Sequence, residues 1–514
     1  MGNATEWTNG RIFTGQRYVA AVLGEEGRIV VAGSARAVRR ARPTGAERVD
    51  LRGRLAVPGL IDAHLHLAES ARAALGVNLR GTRSLREVGD RVQRWADRHP
   101  RGPVVGGGWE EAGFPEHRYP SARDLSDWVG DRPAALYRVC HHAAVASSSL
   151  LDVLEIGPDS PDPSGGRIGR AADGTPDGML FDHALRPLQD WVDRSFSTRP
   201  EAIWDVLDTA ARYGLTTVGA VSASPAEVEA TVGLAVRSPL PARVVFYLRA
   251  DDRQRFSELR KRSRTPSTDV VGVKVVADGA FGPRTAWLAR PYHDRRTESG
   301  FPLRTDSDLR AILSESNDAG AALAVHAIGD RCLAATLDAF ESIRPARRPR
   351  IEHASLTPPT LRRRLRTIRP FLVVQPGFVR SDDWIVERLG QRRARWTYAF
   401  ASFLRDGHAP AGSSDSPVEP LDPWLGIASA VGARASTGAP ERVSLESALQ
   451  FYSANGGPVL GHSAVGSLEP GSVADVVVSR ANTLRSAVSI GSRNVARVYR
   501  DGSRLRPPPA PGGR

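Results

Sequence analysis

The stretch PGLIDAHLHL (58–67) decides the fold expected for this chain of 514 residues, because its apolar run ends in two histidines. In a β-strand, residues i and i+2 project from the same face, so His64 and His66 can reach one metal ion together. Two surface histidines beyond a strand are the alternative. The Pro-Gly start and the run Leu-Ile-Asp favour a fixed, buried strand end with a metal site.

Seven further apolar runs follow this stretch and alternate with helix-length segments. Such alternation is typical of parallel strands joined by helices, and eight strands predict an α/β chain folded as a (β/α)8 TIM-like barrel. The eight candidate strands are residues 55–64, 215–221, 242–248, 270–276, 321–327, 350–354, 371–375 and 408–415.

Both ends of the chain show short strand patterns separated by Gly turns. We expect residues 1–56 and 461–505 to form one small β-sandwich, with the barrel at 57–460. Residues 67–200 are too many for a simple strand-to-helix connection, so they predict an insertion subdomain over the barrel mouth. Within it, PDSPDPSGGRIGRAADGTPDG (158–178) is expected to be a loop.

The formal net charge of +13 invites a nucleic-acid interpretation, but the arginines are spread along the chain and no nucleic-acid motif occurs. Cys140 and Cys332 do not suggest a disulfide framework. We therefore expect a cytoplasmic protein that binds no membrane and no specific nucleic acid. A homodimer is compatible with the sequence. The low-complexity tail, 506–514, is expected to be disordered.

Lysine is nearly absent, since Lys261 and Lys274 are the only two in the chain. Lys261 lies in a basic run, whereas Lys274 lies inside the apolar stretch VVGVKVVADG (270–279). Arginine replaces lysine readily on a surface but cannot act as a nucleophilic amine. Lys274 is therefore a candidate for chemistry that needs an amine.

Lys274 and three further candidates fall on or near the ends of later candidate strands. Lys274 lies on the fourth, His326 near the end of the fifth, His353 near the end of the sixth and Asp415 at the end of the eighth. Active sites of barrel enzymes assemble at this end of the strands. Any one of these residues alone is compatible with a structural role, but the ordered set indicates a site.

These motifs resemble the amidohydrolase superfamily, in the branch that includes N-substituted formamide deformylases. The resemblance covers nearly the whole chain, including both β-rich ends. It rests on PGLIDAHLHL, DRPAALYRV, RIGRAADGTPDGML, YGLTTVGAV, VKVVADGAFGPRTA, AVHAIGDR, RIEHASL, SSDSPVEPLDPW and ADVVV.

The resemblance implies which residues bind metal. His64 and His66 match the pair that binds the more buried ion, and Asp415 matches an aspartate that contacts the metal and moves protons. Lys274 matches a lysine that adds CO2 to become a carbamate (N6-carboxylated lysine) bridging two ions. The implied cofactor is Zn2+ or another divalent metal, as one or two ions, with the ligands His64, His66, Lys274, His326, His353 and Asp415.

The same resemblance gives weaker candidates for substrate binding. Trp109 and Phe281 fit a core position as well as a pocket, and Arg284 fits an ion pair equally well. Where relatives show Asp-Gly-His, this chain has Cys140-His141-His142, so only the last residue matches. The full set of substrate-binding candidates is Trp109, Glu110, His142, Asp278, Phe281, Arg284 and Asp330.

The expected function is metal-dependent hydrolysis of a C–N bond, amide or formamide-like and not peptide, in a small molecule. Metal-activated water attacks the carbonyl while Asp415 transfers the proton to the departing nitrogen. One alternative on the same barrel is a deaminase or cyclic-amide hydrolase. A more distant alternative is a non-catalytic protein that binds polyanions, which would bind nucleic acid in a salt-sensitive way.

Overall fold

The computed structural model describes residues 4–195, 199–432 and 441–505, so the tail expected to be disordered lies outside the described residues. Its centre is an eight-stranded parallel sheet that forms a nearly closed barrel, and the predicted fold class is confirmed. Each candidate run contributes one strand to the barrel. In chain order the barrel strands are Leu60–Leu65, Leu215–Ala223, Arg243–Arg249, Thr268–Val276, Ala322–Ala327, Arg350–His353, Phe371–Val374 and Ala411–Gly412.

Helices cover the outside of the barrel and pack their apolar faces on the strands. Several begin at a side-chain cap, as where Ser224 and Thr305 each accept a backbone N–H three residues later. The helices of the barrel region are Leu67–Leu75, Pro200–Arg212, Pro225–Arg237, Phe256–Arg262, Asp306–Asp318, Asp330–Ile343, Pro359–Ile368, Phe378–Ser381, Ile385–Ala394, Phe400–Arg405, Pro423–Val431, Leu445–Phe451 and Gly456–Val459.

The two chain ends build one further eight-stranded sheet beside the barrel, as expected from their strand patterns. Val476–Ser479 from the C-terminal end pairs antiparallel with Leu55–Pro58 from the N-terminal end. The other strands are Ala4–Phe13, Tyr18–Glu25, Arg28–Gly33, Glu47–Asp50, Val495–Arg500 and Ser503–Arg504, and the helices beside them are Ala35–Ala41 and Leu484–Ile490.

The run 55–64, predicted as one barrel strand, contains two strands in different sheets. The chain leaves the end sheet after Pro58 and enters the barrel at Leu60. Gly59 joins the two, and a Cβ there would lie 2.2 Å from the hydroxyl oxygen of Thr216. A continuous apolar run concealed this change of sheet, because both strands are buried.

The insertion forms a six-stranded sheet with hydrophobic clusters of its own. Its strands are Val77–Asn78, Val104–Trp109, Ala134–Arg138, Ala143–Ala146, Gly166–Arg170 and Pro176–Asp182, and its helices are Leu85–Arg98, Ala122–Val129, Ser148–Val153 and Arg186–Ser195. The prediction of a loop at 158–178 is wrong in its second half. There, Gly166–Arg170 and Pro176–Asp182 form a hairpin whose turn is closed by Ala171 N–H donating to the Thr175 carbonyl at 2.8 Å.

Candidate active site

The carboxyl ends of the barrel strands open into a cleft of about 420 Å³ between the barrel and the insertion. Of the six expected metal ligands, five border this cleft, and His64 lies fully buried beneath it. The structure thus brings the six side chains to one end of the barrel, where strands of this fold carry their functional residues. The six are His64, His66, Lys274, His326, His353 and Asp415.

Two histidines and one aspartate form a tight cluster at the base of the cleft. The Oδ1 atom of Asp415 lies 3.0 Å from Nε2 of His64 and 3.2 Å from Nε2 of His66. One ligand atom from each of the three residues lies within 4.8 Å of the others. Among the described residues, His64 Nε2 and Asp415 Oδ1 are buried atoms that lack a hydrogen-bond partner. Converging imidazole nitrogen and carboxylate oxygen atoms left without partners fit a divalent cation.

In three of the predicted histidine ligands, one ring nitrogen is hydrogen-bonded to an oxygen atom of the protein. Glu352 Oε2 lies 2.6 Å from His64 Nδ1, and Gln375 Oε1 lies 2.8 Å from His353 Nδ1. The Gly279 carbonyl oxygen lies 3.1 Å from His326 Nε2. Each contact engages one ring nitrogen and leaves the other available, which is how proteins orient metal-binding histidines.

Glu352 is held in turn by Arg350, which lies two residues before it on the sixth barrel strand. Arg350 Nη2 donates to Glu352 Oε2 at 2.9 Å, and both side chains are fully buried. Although burial opposes ionisation, the charges of Arg350 and His64 hold the pKa of Glu352 well below its usual range. Glu352 therefore remains a carboxylate. Sequence analysis missed this pair, although both residues lie in the quoted motif RIEHASL.

Two of the predicted metal ligands adopt left-handed backbone conformations. The φ angles of His353 and Asp415 are +71° and +56°. Such conformations are unfavourable for residues with a side chain and often mark functional sites. His353 is the last residue of the strand Arg350–His353, and Asp415 follows the strand Ala411–Gly412 by three residues.

Lys274 lies on the fourth barrel strand and is 2% exposed. Burial lowers the pKa of its amine to about 8, although nearby Glu352 and Asp415 oppose the shift. A neutral amine is therefore accessible near neutral pH. The sequence bias pointed to this residue because it lies in an otherwise apolar strand.

A smaller recess of about 50 Å³ opens beside His326, His353 and Asp415. Aromatic side chains form much of its wall, and three of the predicted substrate-binding residues border it. We call this cavity the aromatic recess. It is lined in part by Glu110, His142, Phe281, Phe378, Asp382, Trp384 and Tyr398.

Within the recess, Glu110 accepts hydrogen bonds from Arg138 at 2.8 Å and from the Trp384 indole at 3.0 Å. Phe281 is 3% exposed and packs in a cluster with Tyr292. His142 borders both the recess and the main cleft. The structure thus places these three predicted residues in the wall of a cavity that Asp415 also borders.

The other four predicted substrate-binding residues line neither cavity. The indole of Trp109 donates to the Leu136 carbonyl at 2.9 Å in the core of the insertion. The carboxylate of Asp278 accepts three backbone N–H groups, from Trp287, Ile328 and Gly329. The side chains of Trp109 and Asp278 are thus both hydrogen-bonded to the protein backbone.

Arg284 and Asp330 also contact protein groups. Arg284 forms an ion pair with Asp294 at 2.6 Å, the alternative that its sequence context left open. Asp330 begins the helix Asp330–Ile343 and accepts the N–H of Ala289 at 2.8 Å. The first contact joins two parts of the segment between Thr268–Val276 and Asp306–Asp318, and the second ties that segment to the helix Asp330–Ile343.

A cluster of histidine and aspartate that fits a divalent metal, at the mouth of a (β/α)8 barrel, is typical of a metal-dependent hydrolase. Residues 47–505 match the model of the amidohydrolase family, and the chain belongs to this family. The protein is therefore a metal-dependent hydrolase that acts on carbon–nitrogen bonds. Neither the deaminase nor the polyanion-binding alternative is favoured.

Relatives support this assignment over most of their length. The chain is 32% identical to the amidohydrolase YtcJ of Bacillus subtilis, over 83% of each chain. It is 27% identical to the N-substituted formamide deformylase of Arthrobacter pascens, over 94% of each chain. A metal-dependent hydrolase from Pyrococcus furiosus superposes with a TM-score of 0.74 at 31% identity, covering 92% of this chain and 98% of that one.

Within the described ranges, every helix is too short or too polar to cross a bilayer.

Proposed function

We propose that this protein hydrolyses the amide or formamide bond of a small, non-peptide molecule. The observation that carries the proposal is the convergence of His64, His66 and Asp415 on one point at the floor of a cleft of about 420 Å³. That volume accommodates a small organic molecule rather than a folded protein chain. The relative named as an N-substituted formamide deformylase supports the formamide class.

We propose that His64, His66, His326, His353 and Asp415 hold one or two divalent ions, with zinc as the preferred metal. When bound, such an ion supplies a Lewis acid that lowers the pKa of water and polarises a carbonyl group. The nitrogen and oxygen donors of the site suit zinc. Lys274, as a carboxylated lysine, would add oxygen ligands for a second ion.

Asp415 would serve as the proton carrier. Its Oδ1 atom is buried and unpartnered in the described structure, and nearby histidines hold its pKa well below the usual range. It is therefore an acceptor for a water proton when the carbonyl is attacked. Passing that proton to the departing nitrogen completes the hydrolysis.

We propose that Glu110, His142 and Phe281 contact the substrate, since they border the recess beside the metal cluster. For Trp109, Asp278, Arg284 and Asp330 we propose a supporting function, in which their contacts fix the surrounding loops. A cytoplasmic location and a homodimer are further proposals. Two free cysteines, Cys140 and Cys332, support the reducing compartment.

The test combines metal analysis of the purified protein with a panel of amides and formamides. We expect at least one equivalent of zinc per chain and turnover of N-substituted formamides or amides. Loss of turnover on chelation and recovery on adding zinc would support the metal assignment. A metal-free protein with undiminished turnover would contradict it.

A further inference from the structure

His142 and Asp182 form a carboxylate–imidazole pair that faces the active-site cleft. They lie opposite each other beyond the antiparallel pairing of Ala143 with Phe181 in the insertion sheet. Asp182 Oδ1 lies 2.6 Å from His142 Nδ1, and the Asp182 N–H donates to the His142 carbonyl at 3.0 Å. Side-chain and backbone contacts thus fix the imidazole together.

The conformation of Asp182 is costly for a purely structural residue. Its φ angle is +50°, in the left-handed region. Its second carboxylate oxygen, Oδ2, is buried without a hydrogen-bond partner among the described residues. Backbone strain and an unpaired buried acceptor in one residue call for a functional explanation.

The barrel also holds this pair from the opposite side. A Cβ at Gly279 would overlap the hydroxyl of Thr285 and would lie 2.9 Å from Asp182 Oδ1, so the absence of a side chain there leaves room for both groups. The same glycine accepts the ring N–H of His326, whose ring centre lies 5.1 Å from that of His142. His142 is therefore placed relative to the metal-site histidines, and not only within the insertion.

The contact with Asp182 determines which hydrogen bond His142 can make. An ionised carboxylate only accepts hydrogen bonds, so Nδ1 of the imidazole carries the proton. In the neutral ring, Nε2 is then an acceptor. Because Nδ1 is engaged by Asp182 and the ring borders both cavities, Nε2 is the nitrogen left to a bound molecule.

We infer that His142 Nε2 accepts the N–H of the scissile amide and that Asp182 is the positioning residue that keeps Nε2 an acceptor. The enzyme therefore selects primary and secondary amides over amides whose nitrogen carries no hydrogen. This inference rests on the proposed amide hydrolysis and names its substrate class. A site built to bind an N–H rejects the analogue that lacks it, because its own acceptor is left unpaired.

The test uses two metal chelators, acetohydroxamic acid and N-methylacetohydroxamic acid, the second of which carries a methyl group in place of the N–H hydrogen. Binding to the zinc-loaded protein is measured by calorimetry and needs no turnover. We expect wild type to bind the N–H form at least about tenfold more tightly, the scale of one well-formed hydrogen bond. A ratio near one in wild type would overturn the inference.

Variants then assign the preference to the pair. Asp182→Asn can donate to Nδ1 and so turn Nε2 into a donor, which should bring the ratio close to one with metal content unchanged. His142→Phe should do the same, whereas His142→Gln retains an acceptor and should keep part of the preference. Asp190→Asn is the control, since Asp190 is exposed in the same insertion and borders neither cavity.

The inference would also be overturned if both Asp182→Asn and His142→Phe kept the full wild-type preference for acetohydroxamic acid over its N-methyl analogue. A wild-type protein that holds no metal would instead contradict the proposed function. Metal analysis of the same samples separates these two outcomes.

Discussion

Asp415 contacts His64 through both its backbone and its side chain. Its N–H donates to the His64 carbonyl at 2.9 Å, and its Oδ1 lies 3.0 Å from the His64 Nε2. The first contact belongs to the seam where the eighth barrel strand meets the first, which Asp62 reinforces by accepting the N–H of Ser414 at 3.1 Å. The same two residues therefore help to close the barrel and form part of the predicted metal site.

His64→Ala and His66→Ala should each remove bound metal and nearly all hydrolase activity, because no neighbour supplies the lost nitrogen ligand. Metal content by mass spectrometry and turnover of the best amide substrate provide the measurement. His99→Ala is the control, since His99 is exposed on the insertion. Full metal content in both cluster variants would show that the ion binds elsewhere.

Asp415→Asn should keep the fold and much of the metal but reduce turnover by about 10²-fold or more, the scale of lost general acid–base catalysis. An amide cannot take up the proton that the carboxylate accepts. Steady-state kinetics beside metal analysis would check this. Asp90→Asn, at an exposed helix position, should leave the rate unaltered. If Asp415→Asn retained its rate, Glu110 would become the next candidate.

Lys274→Arg should preserve charge yet lose activity, because a guanidinium cannot form the carbamate needed to bridge two ions. The measurement is metal stoichiometry after purification with bicarbonate, and we expect two ions in wild type to fall to one or none. The other lysine provides a matched control, since Lys261 is exposed and Lys261→Arg should change nothing. One ion in wild type and variant alike would indicate a mononuclear enzyme.

Glu352→Gln should weaken metal binding by about 10- to 100-fold, as expected when the group that orients a metal-binding histidine is altered. It should also lower the free energy of unfolding by about 3–5 kcal/mol, because Arg350 would remain buried without its charged partner. Competition with a chromophoric chelator and denaturant unfolding measure the two effects. Glu201→Gln, at an exposed position, serves as the control. Unchanged metal affinity would remove Glu352 from the site.

Asp382→Asn should become more stable relative to wild type as the pH rises from 5 to 8. Burial raises the pKa of Asp382 to about 8, and the Glu110 and Glu419 carboxylates add to the shift. Between about pH 4 and 8 the folded protein therefore keeps a proton that the unfolded chain has lost, so this group's contribution to stability falls with rising pH. Asparagine does not titrate, so the variant lacks this decrease in stability at higher pH.

Thermal unfolding of Asp382→Asn and wild type at pH 5 and pH 8 tests this dependence. Asp383→Asn offers a neighbouring comparison, because Asp383 is exposed and borders neither cavity. A difference in Tm between Asp382→Asn and wild type that stayed the same at both pH values would contradict the raised pKa.

The barrel could be predicted from sequence because each of its strands is an apolar run between helical patterns, a local signal. The metal-site candidates followed because a strand's carboxyl end is readable from its last residues, as with His64 and His353. The loop prediction at 158–178 failed because Gly166–Arg170 is rich in Gly and Arg. That strand is stabilised by pairing with Pro176–Asp182, which its composition does not reveal.

Contacts between distant segments were harder to predict. Asp182 meets His142 across a register that depends on a long intervening segment, so nothing near either residue signals the pair. Likewise, the three backbone N–H groups that Asp278 accepts come from loops elsewhere in the chain. The residue type of Asp278 suggested a polar contact, but only the tertiary structure shows that its carboxylate binds backbone N–H groups.

The close fit of Gly279 against Asp182 links the barrel to the insertion. The predicted metal ligands belong to the barrel strands and the segments that follow them, whereas His142 and Asp182 belong to the insertion, so the two groups of residues can be altered separately. Gly279 lies where the two groups of residues come together. Any larger residue at Gly279 would overlap Thr285 and crowd Asp182, so one substitution outside the insertion would disturb the pair inside it.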